Sequence, residues 1–433
     1  MRAMKILHLL SQRPEATGSG AALQAILLES ERAGHENLLV AGIPKDTTPS
    51  LPPLSRTTTR YVTFDGGDIP FPIPGMSDVM PYTSMRFADL TDAQFAAYEA
   101  AFTTAVMDAA GRFRPDIVHS NHLWLLTSLA RRILPDIPVA ASCHGTDLRQ
   151  MRNCPRFRNA VLSGCSHLDG VFALHSGQSA EIRDVYGIPP ERVHVVGAGF
   201  RDGLFARGDK TYDAIRIVYG GKLSRAKGVP WMLRAFASLD SRAGPPWTLL
   251  LAGGGSGQER SECIELAQAL GNRVTVAGAM QQGDFAAALA TAHLFILPSL
   301  YEGLPLVLIE AAASGCVCLA TDIPGVREVR RMFGDDWIRL IPCPPLDGPD
   351  AIKPGSEARF VRDIAAALKG ALRDLIVRPR TPESFERLSK RLKETTWRAV
   401  FRKMERIYRA LAQSKGALPE GERLIVARTD DTT

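Results

Sequence analysis

Short apolar runs recur along the chain, each followed by a loop rich in glycine or polar residues and then by a stretch with helical spacing. In the first half the runs fall at residues 5–10, 37–41, 116–120, 138–142, 170–174 and 193–196, and read as buried strands. Residues 21–33, 90–112, 123–134 and 176–186 read as helices between them. Leu23, Ile26, Leu27 and Ser30 share one face of the first, and Phe95, Tyr98, Phe102 and Val106 one face of the second. Strand–helix–strand units of this kind have parallel strands and right-handed crossovers. Residues 44–89 break the rhythm with Pro, Thr and Gly, and so long an irregular segment in a compact domain points to function or mobility. The Gly-rich, charged stretch 197–210 reads as a linker.

The alternation then restarts. Residues 215–219, 248–252, 273–277, 293–299 and 316–320 read as strands, and 229–239, 262–270, 284–290, 306–313 and 360–373 as helices. A further short helix begins at 325–329. Residues 385–412 read as one basic helix with Trp397, Val400, Phe401, Met404, Tyr408 and Leu411 on a single stripe, which suits docking onto the body of the protein. The tail from Leu418 onward reads as weakly ordered.

The second half centres on residues 297–324, a strand–loop–helix–strand unit carrying two glutamates. Glu302 lies in the loop, Pro305 in the first turn of the helix, and Ser314-Gly315 at its end. Glu310 lies within an otherwise almost wholly apolar helix, where an unpaired charge is costly. The free N–H groups and dipole of a helix start favour a phosphate, and a carboxylate farther in can accept from hydroxyls. Together they suggest a nucleotide sugar; the competing reading gives Glu310 a buried Arg partner and no other role.

Three further loops sit at strand ends, where open α/β sheets bind ligands. Gly18-Ser19-Gly20 lets a backbone approach a phosphate or sugar, or is a flexible lead into a helix. His144 can donate to a sugar hydroxyl or a phosphate, or simply cap its strand. Lys222, Arg225 and Lys227 suit a diphosphate, or form a solvated basic loop. No G-x-G-x-x-G is present to mark a dinucleotide site.

A chain of 433 residues is too long for one ordinary core and fits two domains. The formal charge of +6 suits phosphate-bearing ligands or an anionic membrane surface. Seven cysteines without a CxxC pair read as reduced, mostly buried thiols in a cytoplasmic protein. His119, His122, Cys143 and His144 match no common zinc spacing. No stretch reads as a signal peptide or membrane span.

Three motifs resemble those of the retaining glycosyltransferases of family 4, and the resemblance covers residues 4–411. The run Glu302-Gly303-Leu304-Pro305-Leu306-Val307-Leu308-Ile309-Glu310 looks like the family's E-x7-E pattern. Gly221-Lys222-Leu223 with Lys227-Gly228 resembles its G-R-L…K-G loop, and His144-Gly145-Thr146-Asp147 its H-G-x-D loop. The resemblance implies an α/β protein of GT-B fold: two Rossmann-like domains facing across a cleft, with a C-terminal helix packing back on the first. The expected divisions are an acceptor-side domain at 1–200, a donor-binding domain at 211–384, a helical segment at 385–415 and a tail at 416–433.

By the same resemblance Glu310 holds the ribose hydroxyls of the nucleotide and Glu302 lies near the donor sugar. Lys222 and Lys227 neutralise the diphosphate, and the backbone around Gly303, Leu304, Pro305 and Leu306 borders the donor at the helix start. His144 contacts the donor sugar or helps at the reacting face, and Gly18, Ser19 and Gly20 form the acceptor-side glycine loop. The implied reaction moves a hexose, with retention, from a nucleotide sugar (UDP most of all) to an acceptor the sequence does not name. It implies no cofactor, metal or nucleic acid; the basic C-terminal helix allows peripheral membrane association. The alternatives are a sugar phosphorylase or nucleotide-sugar epimerase on the same fold, or a non-catalytic nucleotide-sugar-binding protein. Three departures are Lys222 in place of the more usual Arg, Gly197-Ala198-Gly199-Phe200 in place of an Asn-Gly turn, and the long segment 44–89, which is expected to shape the acceptor site.

Overall fold

A computed structural model describes residues 2–15, 17–77, 80–239, 245–348, 350–378 and 381–415. It resolves into two compact units. The first takes in the chain up to Ala173, Ser179–Val195, and the chain from Phe401; the second takes in Leu174–Gln178 and Val196–Val400.

The first unit is built on strands β1 (Lys5–Leu10), β2 (Glu36–Pro44), β3 (Thr57–Phe64), β4 (Pro74–Gly75), β5 (Met85–Arg86), β6 (Ile117–Asn121), β7 (Val139–Ser142), β8 (Gly170–Ala173) and β9 (Val193–Val195). Seven of these form one sheet in the order β3-β2-β1-β6-β7-β8-β9, and each neighbouring pair is parallel. The buried faces of a parallel sheet demand near-continuous apolar runs, and β1, β7 and β8 supply them. Helices α1 (Gly18–Arg32), α2 (Asp92–Phe113), α3 (Leu125–Ile133), α4 (Thr146–Asn153), α5 (Arg158–Cys165) and α6 (Ser176–Tyr186) make the crossovers. Thr91 and Gln94 close a capping box at the start of α2.

The second unit carries β10 (Ile215–Gly220), β11 (Trp247–Ala252), β12 (Val274–Gly278), β13 (Leu294–Leu297), β14 (Val317–Thr321) and β15 (Ile338–Ile341). Its parallel sheet runs β12-β11-β10-β13-β14-β15, the doubly wound order in which the chain reverses direction at β10. Helices α7 (Val229–Ala237), α8 (Gly257–Gln268), α9 (Gln282–Thr291), α10 (Leu306–Ala313), α11 (Pro324–Phe333), α12 (Glu357–Val377) and α13 (Pro382–Leu392) belong to it. Helix α14 (Trp397–Ser414) begins in this unit, and from Phe401 onward it belongs to the first. There Phe401 packs beside His35, and Tyr408 beside His119 and Phe172. Glu405 pairs with His35 at 3.2 Å and with Arg409 at 2.7 Å, and Arg409 donates to the Arg2 carbonyl at 3.0 Å. The C-terminal helix thus closes the first unit, as expected.

Several expectations need correction. The segment 44–89 is not structureless: it holds edge strand β3, and Ile69, Phe71, Ile73, Met76 and Phe87 sink into the core. The basic stretch 385–412 is two helices, because Thr396 is extended and its hydroxyl accepts from the Ala399 amide, starting a new helix. Gly18, Ser19 and Gly20 are not a loop but the first turn of α1, which Thr17 caps by accepting from the Gly20 amide at 3.0 Å. Pro305 stands one residue before α10, at its N-cap. The tail from Leu418 lies outside the described residues.

Candidate functional site

In the second unit the carboxyl ends of β10 and β13 carry the loops that the sequence singles out. After Gly220 the chain turns through Gly221 to Lys222, whose carbonyl accepts from the Tyr219 hydroxyl at 2.7 Å. Gly253 backs this turn so closely that a β-carbon there would lie 1.7 Å from the Gly221 carbonyl oxygen, at a φ of +152°. Gly228 is similarly forced, with a φ of +72° and a β-carbon position 2.0 Å from the Pro298 carbonyl oxygen. It fixes where Lys227 leaves the loop. Lys227 Nζ then reaches Glu302 Oε1 at 2.6 Å.

The three loop cations therefore separate. Lys227 pairs with Glu302, whereas Arg225 turns outward to Glu262 of α8 at 3.0 Å. Lys222 is half-buried and pairs with no carboxylate among the described residues.

Gly303, Leu304 and Pro305 lead directly into α10, and Leu306 is its first residue. No side chain caps that helix start, which leaves its amides for a ligand. Glu310 lies half-buried one turn farther on, among Leu308, Ile309, Ala311 and Ala312. Burial raises its carboxyl to about 7, while a hydrogen bond from Gln282 and the charge of Arg201 pull the other way. The buried-Arg alternative is thus met in part: Arg201 supplies charge, and Gln282, at the start of α9, supplies the hydrogen bond. Helix α9 is held there by Phe285, whose ring occupies the place of a β-carbon at Gly220, 2.5 Å away. Neither Arg201 nor Gln282 was read from the sequence. Gln282 is an exposed glutamine in a polar run, and nothing in that run marks it.

In the first unit His144 follows β7 and precedes α4. Its backbone amide faces both carboxylate oxygens of Asp147 at 3.2 Å, and Asp147 also accepts from the Leu123 amide at 3.0 Å. His144 Nε2 lies 3.1 Å from Asn121 Oδ1, and its ring centroid 4.8 Å from that of His122. Burial pushes both rings down to about 3, so both are neutral. Asn121 and His122 were also missed as site residues, although both lie at or just past the end of β6, where open sheets place ligands. Beside α1, Gln12 donates to Ser19 at 2.8 Å and accepts from the Met76 amide at 3.4 Å. Gln150 of α4 donates to the Met76 carbonyl at 3.2 Å. The long segment 44–89 thereby joins the glycine turn to the helix that follows His144. Among the described residues, no three His, Cys, Asp or Glu side chains gather in a way that could hold a metal ion, His119, His122, Cys143 and His144 included.

Residues 17–199 match the family described as Glycosyl transferase 4-like domain, and residues 202–338 match Glycosyl transferases group 1. D-inositol 3-phosphate glycosyltransferase 1 of Catenulispora acidiphila is 26% identical over 53% of this chain and 61% of its own length. Glycogen synthase of Mycobacterium tuberculosis is 26% identical over 75% of this chain and 80% of its own. Among solved structures, sucrose-phosphate synthase from Thermosynechococcus elongatus aligns with a TM-score of 0.69 at 19% identity, covering 95% of this chain and all of that one (100%). Anabaena Alr3699/HepE, in complex with UDP and glucose, aligns with a TM-score of 0.63 at 15% identity, covering 94% and 100%.

Proposed function

The chain belongs to the glycosyl transferases of group 1, built on the GT-B fold, and on that premise we propose that it moves a sugar, with retention, from a UDP-sugar to an acceptor hydroxyl. The observation that carries the reading is the second unit's arrangement of Lys222, the Lys227–Glu302 pair, the uncapped start of α10 and Glu310. These are the groups a nucleoside diphosphate sugar needs, in chain order. Lys222, Lys227 and the amides of Gly303, Leu304 and Leu306 receive the diphosphate. Glu310 accepts from the ribose hydroxyls, and Glu302 from the sugar. Uridine is favoured because a solved neighbour is in complex with UDP.

Cleavage of the sugar–phosphate bond leaves negative charge on the departing diphosphate. Fixed cations and a helix start stabilise that charge most as it develops, which lowers the barrier instead of merely tightening ground-state binding. In this reading no metal ion takes part, so EDTA leaves turnover unchanged. A thermal-shift panel of UDP, GDP and ADP on the wild type and Glu310→Gln tests the donor site. A ligand at 100 times its dissociation constant adds about 2.7 kcal/mol to stability. The expected result is a shift with UDP that Glu310→Gln largely removes; no shift with any nucleotide sinks the donor reading. The anomeric configuration of the first product, by NMR, tests retention.

A further inference from the structure

Two side chains, Asn121 and His122, lie against the His144 ring. Asn121 ends β6 beside β1, where the parallel register pairs Leu9 with Ser120. Its amide nitrogen donates to the Leu9 carbonyl at 3.2 Å. A carbonyl has no proton to give, so turning the amide over would set oxygen against oxygen. The amide oxygen is therefore the atom that faces His144 Nε2 at 3.1 Å, and an oxygen accepts only from a protonated ring nitrogen. Nε2 carries the proton of the neutral ring, and Nδ1 keeps its lone pair. Nδ1 has no hydrogen-bond partner among the described residues.

His122 lies against the same ring, in a conformation that needs an explanation. Its φ is +71°, a left-handed backbone that a β-carbon opposes. The conformation is held by its amide donating to the Ser142 carbonyl at 3.0 Å and by Thr146 Oγ1 at 3.3 Å from its Nδ1. Its Nε2 is buried without a partner. Strain and an unsatisfied buried nitrogen persist where the surroundings over-determine them, and such positions cluster at functional sites. Here the result is a second uncharged imidazole packed against the His144 ring, while burial keeps a second proton off His144 against the opposing pull of Asp147.

We infer that His144 works as a hydrogen-bond acceptor through Nδ1, receiving a substrate hydroxyl and repelling phosphate oxygens, and that Asn121 and His122 are positioning residues that hold it so. This replaces the sequence expectation that His144 donates to a hydroxyl or a phosphate. The assignment of the hydroxyl to a sugar substrate rests on the proposed transfer reaction; the tautomer does not.

Two measurements test it. Nitrogen NMR of the full chain labelled with 15N-histidine, with His144 identified by its loss in His144→Asn, reads the tautomer with no substrate present. The expected spectrum shows a neutral ring protonated on Nε2 in the wild type and a mixture of tautomers in Asn121→Ala. A proton on Nδ1, an imidazolium at neutral pH, or no change in Asn121→Ala overturns the inference. The second uses shape: an Asn side chain places its amide near where Nδ1 lies, and a Gln side chain near where Nε2 lies. With UDP-glucose as donor and UDP release as readout, His144→Asn should keep kcat within about tenfold of wild type, and His144→Gln should lose about a hundredfold. The reverse order overturns it. A wild type that releases no UDP counts against the proposed transfer reaction, while the nitrogen spectrum still decides the tautomer.

Discussion

Nζ of Lys227 lies 2.6 Å from Oε1 of Glu302, and the two side chains are 30% and 17% exposed. A diphosphate that engages Lys227 must therefore compete with this carboxylate. Part-exposed pairs contribute up to about 1 kcal/mol, so Glu302→Gln should tighten UDP binding roughly twofold to fivefold while transfer collapses. Lys227→Met should weaken UDP by about tenfold or more. Calorimetric titration with UDP separates these, and weaker UDP binding in Glu302→Gln would show that the pair does not oppose the nucleotide.

Glu310 makes donor binding pH-dependent. Its carboxyl is raised by burial from 4.5 to about 7, so the folded protein holds this proton to higher pH than the unfolded chain. Stability from this group is full below pH 4.5 and declines as pH rises toward 7. Ribose hydroxyls need the ionised form as acceptor, so UDP affinity should climb between about pH 6 and 8. Glu310→Gln should bind weakly with no such climb. Equal pH dependence in the two proteins rules out Glu310 as its source.

Gly253→Ala tests how the Lys222 turn is built. The new β-carbon would meet the Gly221 carbonyl oxygen at 1.7 Å, at a φ of +152°. Backbone must move, and a loss of about 2 kcal/mol or more is expected in urea unfolding, along with a reduced UDP thermal shift. An unchanged midpoint would mean that the turn can be rebuilt at no cost.

Helix α14 should be held in the first unit by Glu405. His35, whose Nε2 lies 3.2 Å away, and Arg409 hold its carboxyl down at about 2 against the opposing effect of burial. A depressed carboxyl stabilises above its unfolded value of 4.5, and that stabilisation fades as pH falls toward 2. Glu405→Gln should cost about 2–3 kcal/mol at pH 7 and little near pH 2.5, by denaturant unfolding at both. The same cost at both values of pH would assign Glu405 a packing role alone.

The fold was legible where burial and pattern coincide. Residues 306–313 and 176–186 were read with the bounds the structure gives to α10 and α6, because each lies between a buried strand and a helix-ending glycine or turn. Strand β3 was missed because Thr57 to Arg60 lie at a sheet edge with little burial, so no apolar run announces it. The candidate site was legible in its charges, Lys222, Lys227, Glu302 and Glu310, since charge in an apolar or Gly-rich setting is conspicuous. Its neutral members were not. Asn121 matters through a carbonyl more than a hundred residues away in sequence (Leu9, separation 112), and Gln282 through a carboxylate on a different helix. Such pairings depend on strand register and helix packing, which no local pattern records.

The first unit has a consequence for synthesis. Its sheet is complete once β9 has left the ribosome, yet the face carrying His35, His119 and Phe172 waits for Phe401, Glu405 and Tyr408. The unit that starts to fold first is therefore the last to finish, with Val196–Val400 of the second unit translated in between. During that interval an apolar, histidine-lined face is open to chaperones or to other nascent chains. A chain cut after residue 200 would stay in that state for good, so the two halves of this protein are poor candidates for separate expression, however clean the boundary between the sheets looks.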